Sequence, residues 1–144
     1  MQSGAVILNT VHATCVAVAK RGVLIMGPSG SGKSALGLAL MALGAILVAD
    51  DRTLLANKAG ALVARSPAPI RGLIEARGLG LLHAPTRASV HVALVVDLGQ
   101  VESDRLPPFR HISLCGISCD LVLGQPTPHF PSLLWAYMKG GRQA

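Results

Sequence analysis

Apolar residues run along this chain in short bursts separated by Gly, Pro and charged punctuation, and the bursts differ in period. Residues 5–8 and 14–18 are Val- and Ala-rich and predict strands. Lys20-Arg21-Gly22 predicts a turn into a third strand over 22–26. From Lys33 to Leu43 the period lengthens, with apolar positions 36, 40 and 43, and predicts a helix stopped by Gly44 at its C′ position. Ala45 to Ala49 predicts a buried strand ending at Asp50-Asp51. Residues 53–56 and 61–64 predict a hairpin turning at Lys58-Ala59-Gly60, after which Pro67 and Pro69 break the pattern. Arg71 to Gly80 is expected as a loop and His91 to Asp97 as a strand. The polar stretch 100–111 is expected as a loop, and 112–123 fits strand or helix equally. Pro131 predicts the start of a last helix running through Met138 and ended by Gly140-Gly141. No repeat or low-complexity linker interrupts the chain, so residues 1–144 are expected to form one α/β domain.

Composition narrows this. The chain is 51% hydrophobic and 14% charged, which excludes disordered and fibrous classes. Aromatics make up only 3%, so the core must be aliphatic, as suits a buried parallel or mixed sheet flanked by helices. The net charge of +6 comes from 13 basic residues dispersed along the chain. Without interleaved aromatics they do not make a stacking platform for nucleic acid, and they suit anionic substrates instead. Cys15, Cys115 and Cys119 lack metal-ligand context and read as reduced thiols of a cytoplasmic protein. No basic residue precedes Lys20, which argues against a signal peptide, and the uncharged stretch from Ser34 to Ala49 is short for a membrane span.

The chemistry concentrates in Gly27-Pro28-Ser29-Gly30-Ser31-Gly32-Lys33-Ser34, a complete G-x-x-x-x-G-K-[ST] phosphate loop between a predicted strand and a predicted helix. Its glycines let backbone N–H groups curl around a phosphate, and the helix N-terminus adds its positive end. Lys33 supplies a charge for the β- and γ-phosphates, and the Ser34 hydroxyl suits Mg²⁺. Two strand ends offer a carboxylate to act on the metal: Asp50-Asp51, and Asp97, which also reads as a strand-end cap. Phosphoryl transfer needs one carboxylate near the metal and one to take the acceptor's proton, so the adjacent pair is the better candidate. Asn57-Lys58-Ala59-Gly60 lacks the aspartate of a guanine site and reads as a turn. Residue chemistry alone leaves open a protein kinase, a small-metabolite P-loop kinase and a non-catalytic ATP-sensing module.

Further matches carry a family resemblance. Val48-Ala49-Asp50-Asp51, Ile74-Glu75-Ala76-Arg77-Gly78-Leu79-Gly80, Asp104-Arg105-Leu106 and His12 all stand in the order found in bacterial HPr kinase/phosphorylase. Together with the phosphate loop, this resembles that family's catalytic domain over roughly residues 8–107, in the short form without an N-terminal domain. The resemblance implies a P-loop nucleotide-binding domain with a mixed sheet, of the phosphoenolpyruvate-carboxykinase-like kind. It implies transfer of phosphate from ATP or pyrophosphate, with Mg²⁺, to a serine of the phosphocarrier HPr, and reverse phosphorolysis by inorganic phosphate. Asp50 would be the base, supported by Asp51. Ser34 and Glu75 would position Mg²⁺, His12 would sit beside the phosphate, and Arg105 would serve dephosphorylation. Arg77, with Gly78 and Gly80, would brace the signature loop. Without the resemblance, an exposed ion pair is the minority reading of Glu75 and Arg77, and His83, His91, His111 and His129 receive no role. The family's arginine-rich loop is not found, since Phe109 to Gly116 offers only Arg110. The resemblance also implies a homo-oligomer, a hexamer.

Overall fold

The structure, a computed structural model, describes residues 8–144. The predicted strand over 5–8 therefore falls mostly outside the described residues. What is described begins with β1 (Leu8–Val11), β2 (Ala13–Val18) and β3 (Arg21–Met26). The phosphate loop then leads into α1 (Lys33–Ala42), followed by β4 (Ile46–Ala49). The hairpin predicted next is β5 (Thr53–Lys58) and β6 (Ala61–Arg65).

The stretch expected as a loop over Arg71–Gly80 is instead half of a second hairpin, β7 (Leu73–Ala76) and β8 (Gly80–His83). Its branched residues, Leu73 and Ile74, sit in a pleat that alternates toward α1 and away from it, a period-2 signal hidden by the surrounding Gly and Arg. Next, β9 (Ser89–Val101) runs past Asp97 into the expected polar loop. The ambiguous stretch resolves as β10 (Arg110–Leu114) and β11 (Ile117–Gly124), which turn at Cys115 and Gly116, both with positive φ. The chain closes with α2 (Phe130–Gly140).

One mixed sheet carries the order β1-β5-β6-β9-β3-β2-β4. β3 and β9 are parallel, with Met26 opposite Asp97, while β2 runs antiparallel between β3 and β4. The long β9 serves two neighbours on its other edge: β6 antiparallel at Ser89–His91 and β11 parallel from Val95 onward. This order has a functional consequence. The C-terminal ends of β3 and β4 and the start of β2 all lie on one side of the sheet, so Gly27, Asp50 and His12 converge there.

The two faces of the sheet are covered differently. Both helices lie on one face, where Leu36, Leu40, Leu134 and Met138 pack on Val16, Val23, Ile25 and Val96. The opposite face is covered by strands curling over it, with Leu55, Leu62 and Ala64 closing on Cys15, Leu24 and Val95. The expectation of a sheet flanked by helices therefore holds for one face only. The other is filled by small aliphatic side chains that let strands approach closely. Leu43, the C-cap of α1, and Ile46, the first residue of β4, are 43% and 44% exposed.

Candidate active site

The phosphate loop takes the shape its glycines permit. Gly30 and Gly32 have φ of 81° and 97°, where a side chain is strained, and the space where a Cβ would stand is open. Gly32 is the N-cap of α1, and no acidic residue occupies the helix's first turn. The helix therefore presents its unshared N–H groups to the loop's concavity. Ser31 Oγ is buried without a hydrogen-bond partner, an orphaned polar atom inside the loop. Lys33 Nζ donates to the Gly27 and Pro28 carbonyls at 2.9 and 3.1 Å, which holds its charge at the loop mouth.

Asp50 is the centre of the site. It is 5% exposed, and its Oδ1 accepts from the Thr14 and Ser34 hydroxyls, each at 2.7 Å. Its Oδ2 accepts from the Glu75 backbone N–H at 2.9 Å. One carboxylate thus ties β2, the head of α1 and the β7–β8 hairpin to the end of β4. A buried charge survives only with such partners. Asp51, by contrast, is exposed and turns through a φ of 66°, sparsely populated for a residue other than glycine. The turn is closed by Arg52 N–H donating to the Asp50 carbonyl at 2.7 Å and Ala13 N–H donating to the Asp51 carbonyl at 3.2 Å. The adjacent pair is thereby split into an inward and an outward carboxylate.

A cleft of about 1000 Å³ joins these groups. His12, the phosphate loop except Ser31, Asp50, Asp51, Glu75 and Arg77 all line it. Gly78 and Gly80 do not; they shape the turn beside it, with φ of 92° and 129°. Arg105, which the resemblance assigns to dephosphorylation, is exposed and does not line the cleft of the single chain. It stands in the Asp104-Arg105 loop, which follows the end of β9 at Val101. That loop is held at its base by Arg110, whose Nε and Nη2 donate to Glu102 at 3.0 and 2.9 Å. The pair holds the Glu102 carboxyl below its ordinary value. Arg142 braces the far side, its guanidinium 4.0 Å from the Phe109 ring. Asp97, expected at a strand end, lies inside β9, where its Oδ1 and Oδ2 accept from Gly99 N–H and Gln100 Nε2 at 2.8 and 2.9 Å.

Sequence reasoning missed Thr14, which is fully buried behind Asp50. A signal was present: in the strand Ala-Thr-Cys-Val-Ala-Val, buried at every position, Thr14 is the lone hydroxyl. It also missed Leu81, which faces the cleft across the hairpin from Glu75.

The oxygen donors Ser34, Glu75 and the aspartates fit a hard divalent cation, and the orphaned Ser31 hydroxyl and open glycine cradle fit a phosphate. Among the described residues no three His, Cys, Asp or Glu side chains are grouped to hold a metal by themselves.

Fold and site together define an α/β protein of the phosphate-loop kind, with a strand-end carboxylate hydrogen-bonded to the loop serine. Comparison with known proteins gives the family. A model of the HPr Serine kinase C-terminal domain matches residues 6–107, and the chain belongs to that family. It is 38% identical over 126 residues to the HPr kinase/phosphorylase of Bordetella pertussis (strain Tohama I), covering 82% of this chain and 40% of the relative. It is 36% identical over 125 residues to that of Cupriavidus necator, covering 78% and 39%. The chain thus spans about 40% of the length of these curated relatives. The solved Hpr(Ser) kinase/phosphatase of Coxiella burnetii superposes with a TM-score of 0.78 at 27% identity, covering 91% of this chain and 94% of that one. No helix among the described residues is long and apolar enough to cross a membrane.

Proposed function

We propose that this chain is a Mg²⁺-dependent protein serine kinase and phosphorylase that moves the γ-phosphate of ATP, or a phosphate of pyrophosphate, to a serine of an HPr-like phosphocarrier. The observation that carries the reading is the Asp50 carboxylate, hydrogen-bonded at 2.7 Å to the phosphate-loop Ser34 and at 2.9 Å to the Glu75 N–H. A nucleotide-sensing module needs no such group. A small-metabolite kinase would enclose its acceptor, and exposed leucines at the rim of this cleft suit a protein acceptor better.

In the transfer, the acceptor serine oxygen forms a bond to the γ-phosphorus as the bond to the β–γ bridging oxygen breaks. The serine proton passes to Asp50. Thr14 and the Glu75 N–H keep Asp50 aimed, while Asp51 borders the same cleft. Lys33, the loop N–H groups and the helix N-terminus neutralise the charge that spreads over the transferring phosphoryl group. Ser34 and Glu75 would hold Mg²⁺, which supplies Lewis-acid stabilisation of the phosphates when bound. His12 lines the cleft beside the loop and would contact the phosphate. Run backward, inorganic phosphate attacks the phosphoserine and Asp50 returns the proton. Arg77 would brace the hairpin turn, and Arg105 would serve the reverse, dephosphorylating direction. The family's hexameric assembly would be the setting for this chemistry.

A second assignment is favoured by the same geometry. Asp50 already accepts three protein donors, while Asp51 is exposed in the cleft, which makes Asp51 the alternative proton acceptor. Intact-mass spectrometry of an HPr-like protein incubated with the chain, ATP and Mg²⁺ tests the proposal. Phosphoserine formed by wild type and not by Asp50→Asn supports it; an acceptor left unmodified by wild type sinks it. Retained transfer in Asp50→Asn with loss in Asp51→Asn would move the base to Asp51.

A further inference from the structure

The β7–β8 hairpin holds large apolar side chains in water beside the cleft. Leu79, Leu81 and Leu82 are 82%, 67% and 37% exposed. These are not by-products of a loose loop. Ile74, on the same hairpin, is 1% exposed and packs against α1, close to Gly37. The hairpin base is closed by Ala84 N–H donating to the Gly72 carbonyl at 2.9 Å, and its centre by the Glu75 N–H on Asp50. The leucines are therefore held out on a braced stem, and exposed apolar surface of that kind marks an interaction site.

The register says which site. Glu75 pairs with Leu81 and Leu73 with His83, so these four share the face opposite Ile74. Residues directly opposed across antiparallel strands have Cβ atoms about 5 Å apart. Leu81 thus stands one side chain from the carboxylate read as a metal ligand, inside the same cleft as Lys33 and Asp50. Ile70 and Leu73 extend the apolar strip within the cleft, and Leu79 extends it outward past the rim. A ligand confined to the cleft would leave Leu79 in water. A folded protein that inserts a hydroxyl into the cleft would cover it, and apolar side chains central to such a contact carry most of the binding energy.

We propose that Leu79 and Leu81 are specificity-determining residues: they dock an apolar patch that flanks the acceptor serine on its protein and so deliver the hydroxyl to Asp50. The inference rests on the protein-serine kinase reading above. It adds which surface of this chain recognises the acceptor and what chemistry the acceptor must show there.

The experiment uses the full chain, ATP, Mg²⁺ and an HPr-like acceptor, with Leu79→Ser, Leu81→Ser and the conservative Leu81→Met. Steady-state transfer is measured against acceptor concentration, alongside thermal melting and sedimentation velocity. Leu79→Ser and Leu81→Ser are expected to raise KM for the acceptor about tenfold or more, with kcat changed far less and Leu81→Met close to wild type. Melting temperatures close to wild type exclude a folding defect, since both side chains stand in water. An unchanged KM in both serine variants overturns the inference while leaving the kinase reading intact. A shift from self-associated wild type to monomeric variants, with KM unchanged, assigns the patch to a second copy and also overturns it. Failure of the kinase reading itself appears earlier, as wild type that phosphorylates no acceptor.

Discussion

Replacing Thr14 by Val removes one of the three donors that hold Asp50 and changes almost nothing else. The side chain is fully buried, and Val keeps the methyl group that stands 2.9 Å from where a Cβ on Gly37 would be, so packing against α1 is preserved. The hydrogen bond lost is short, 2.7 Å, and its acceptor is a carboxylate only 5% exposed, which water cannot readily re-solvate. Hydrogen bonds to charged groups contribute about 1.5–3 kcal/mol, and the remaining Ser34 and Glu75 donors prevent a larger loss. In a domain of this size that corresponds to a fall in Tm of roughly 4–10 °C. Thr14→Ser separates the two components of the side chain. It keeps the hydroxyl and gives up a methyl group, a loss of about 0.5–1.5 kcal/mol. Urea denaturation of the four proteins of a Thr14→Val and Asp50→Asn cycle reads the coupling directly, because the effect of Thr14→Val should shrink once the acceptor is neutral. Thr14→Val within about 0.5 kcal/mol of wild type, or an equal effect in both backgrounds, would refute the claim that Asp50 is held as a buried carboxylate by these donors.

Gly37→Ala should destabilise the protein even though Ala is the better helix former by about 1 kcal/mol, because its Cβ would meet Thr14 Cγ2 at 2.9 Å; a midpoint at or above wild type in urea would contradict this. Glu102, paired with Arg110, titrates below its ordinary 4.5 when folded, so its stabilisation is fully present above that pH and is lost as pH falls through the folded value. Glu102→Gln should therefore flatten the acid limb of a Tm-against-pH curve, and an unaltered limb would show that the pair is not felt. Burial pushes the Cys15 thiol up to about 12 and raises Cys119 as well, so native alkylation near neutral pH should modify Cys115 alone, with all three reacting in denaturant. Intact mass counts the adducts, and rapid native labelling of Cys15 would place it outside the core.

What could be read in advance followed the kind of signal each residue carries. The phosphate loop is local: its glycines, lysine and serine act through backbone geometry fixed over a few residues, so the motif located the loop and the start of α1. Asp50-Asp51 was legible for the same reason, as the end of an aliphatic strand. The division between the two aspartates was not legible. It depends on Thr14 and Glu75, which reach Asp50 from β2 and β7 only after the strands have paired. The β7–β8 hairpin was taken for a loop because Arg77-Gly78-Leu79-Gly80 reads as punctuation, and the buried side of its first strand is only Ile74 and Ala76. Arg105 was placed by resemblance and by order along the chain. The reach of β9 beyond Asp97, where β11 pairs with it, leaves no mark in local periodicity.

The most direct test of the central claim is single-turnover transfer from γ-labelled ATP to an HPr-like protein, with wild type and Asp50→Asn compared at matched nucleotide occupancy. The account predicts that wild type moves the label to one serine, while Asp50→Asn binds ATP but transfers it about 10²–10⁴-fold more slowly, the range of a lost general base. Label reaching the serine at the wild-type rate in Asp50→Asn, or no labelled serine with wild type, would contradict it.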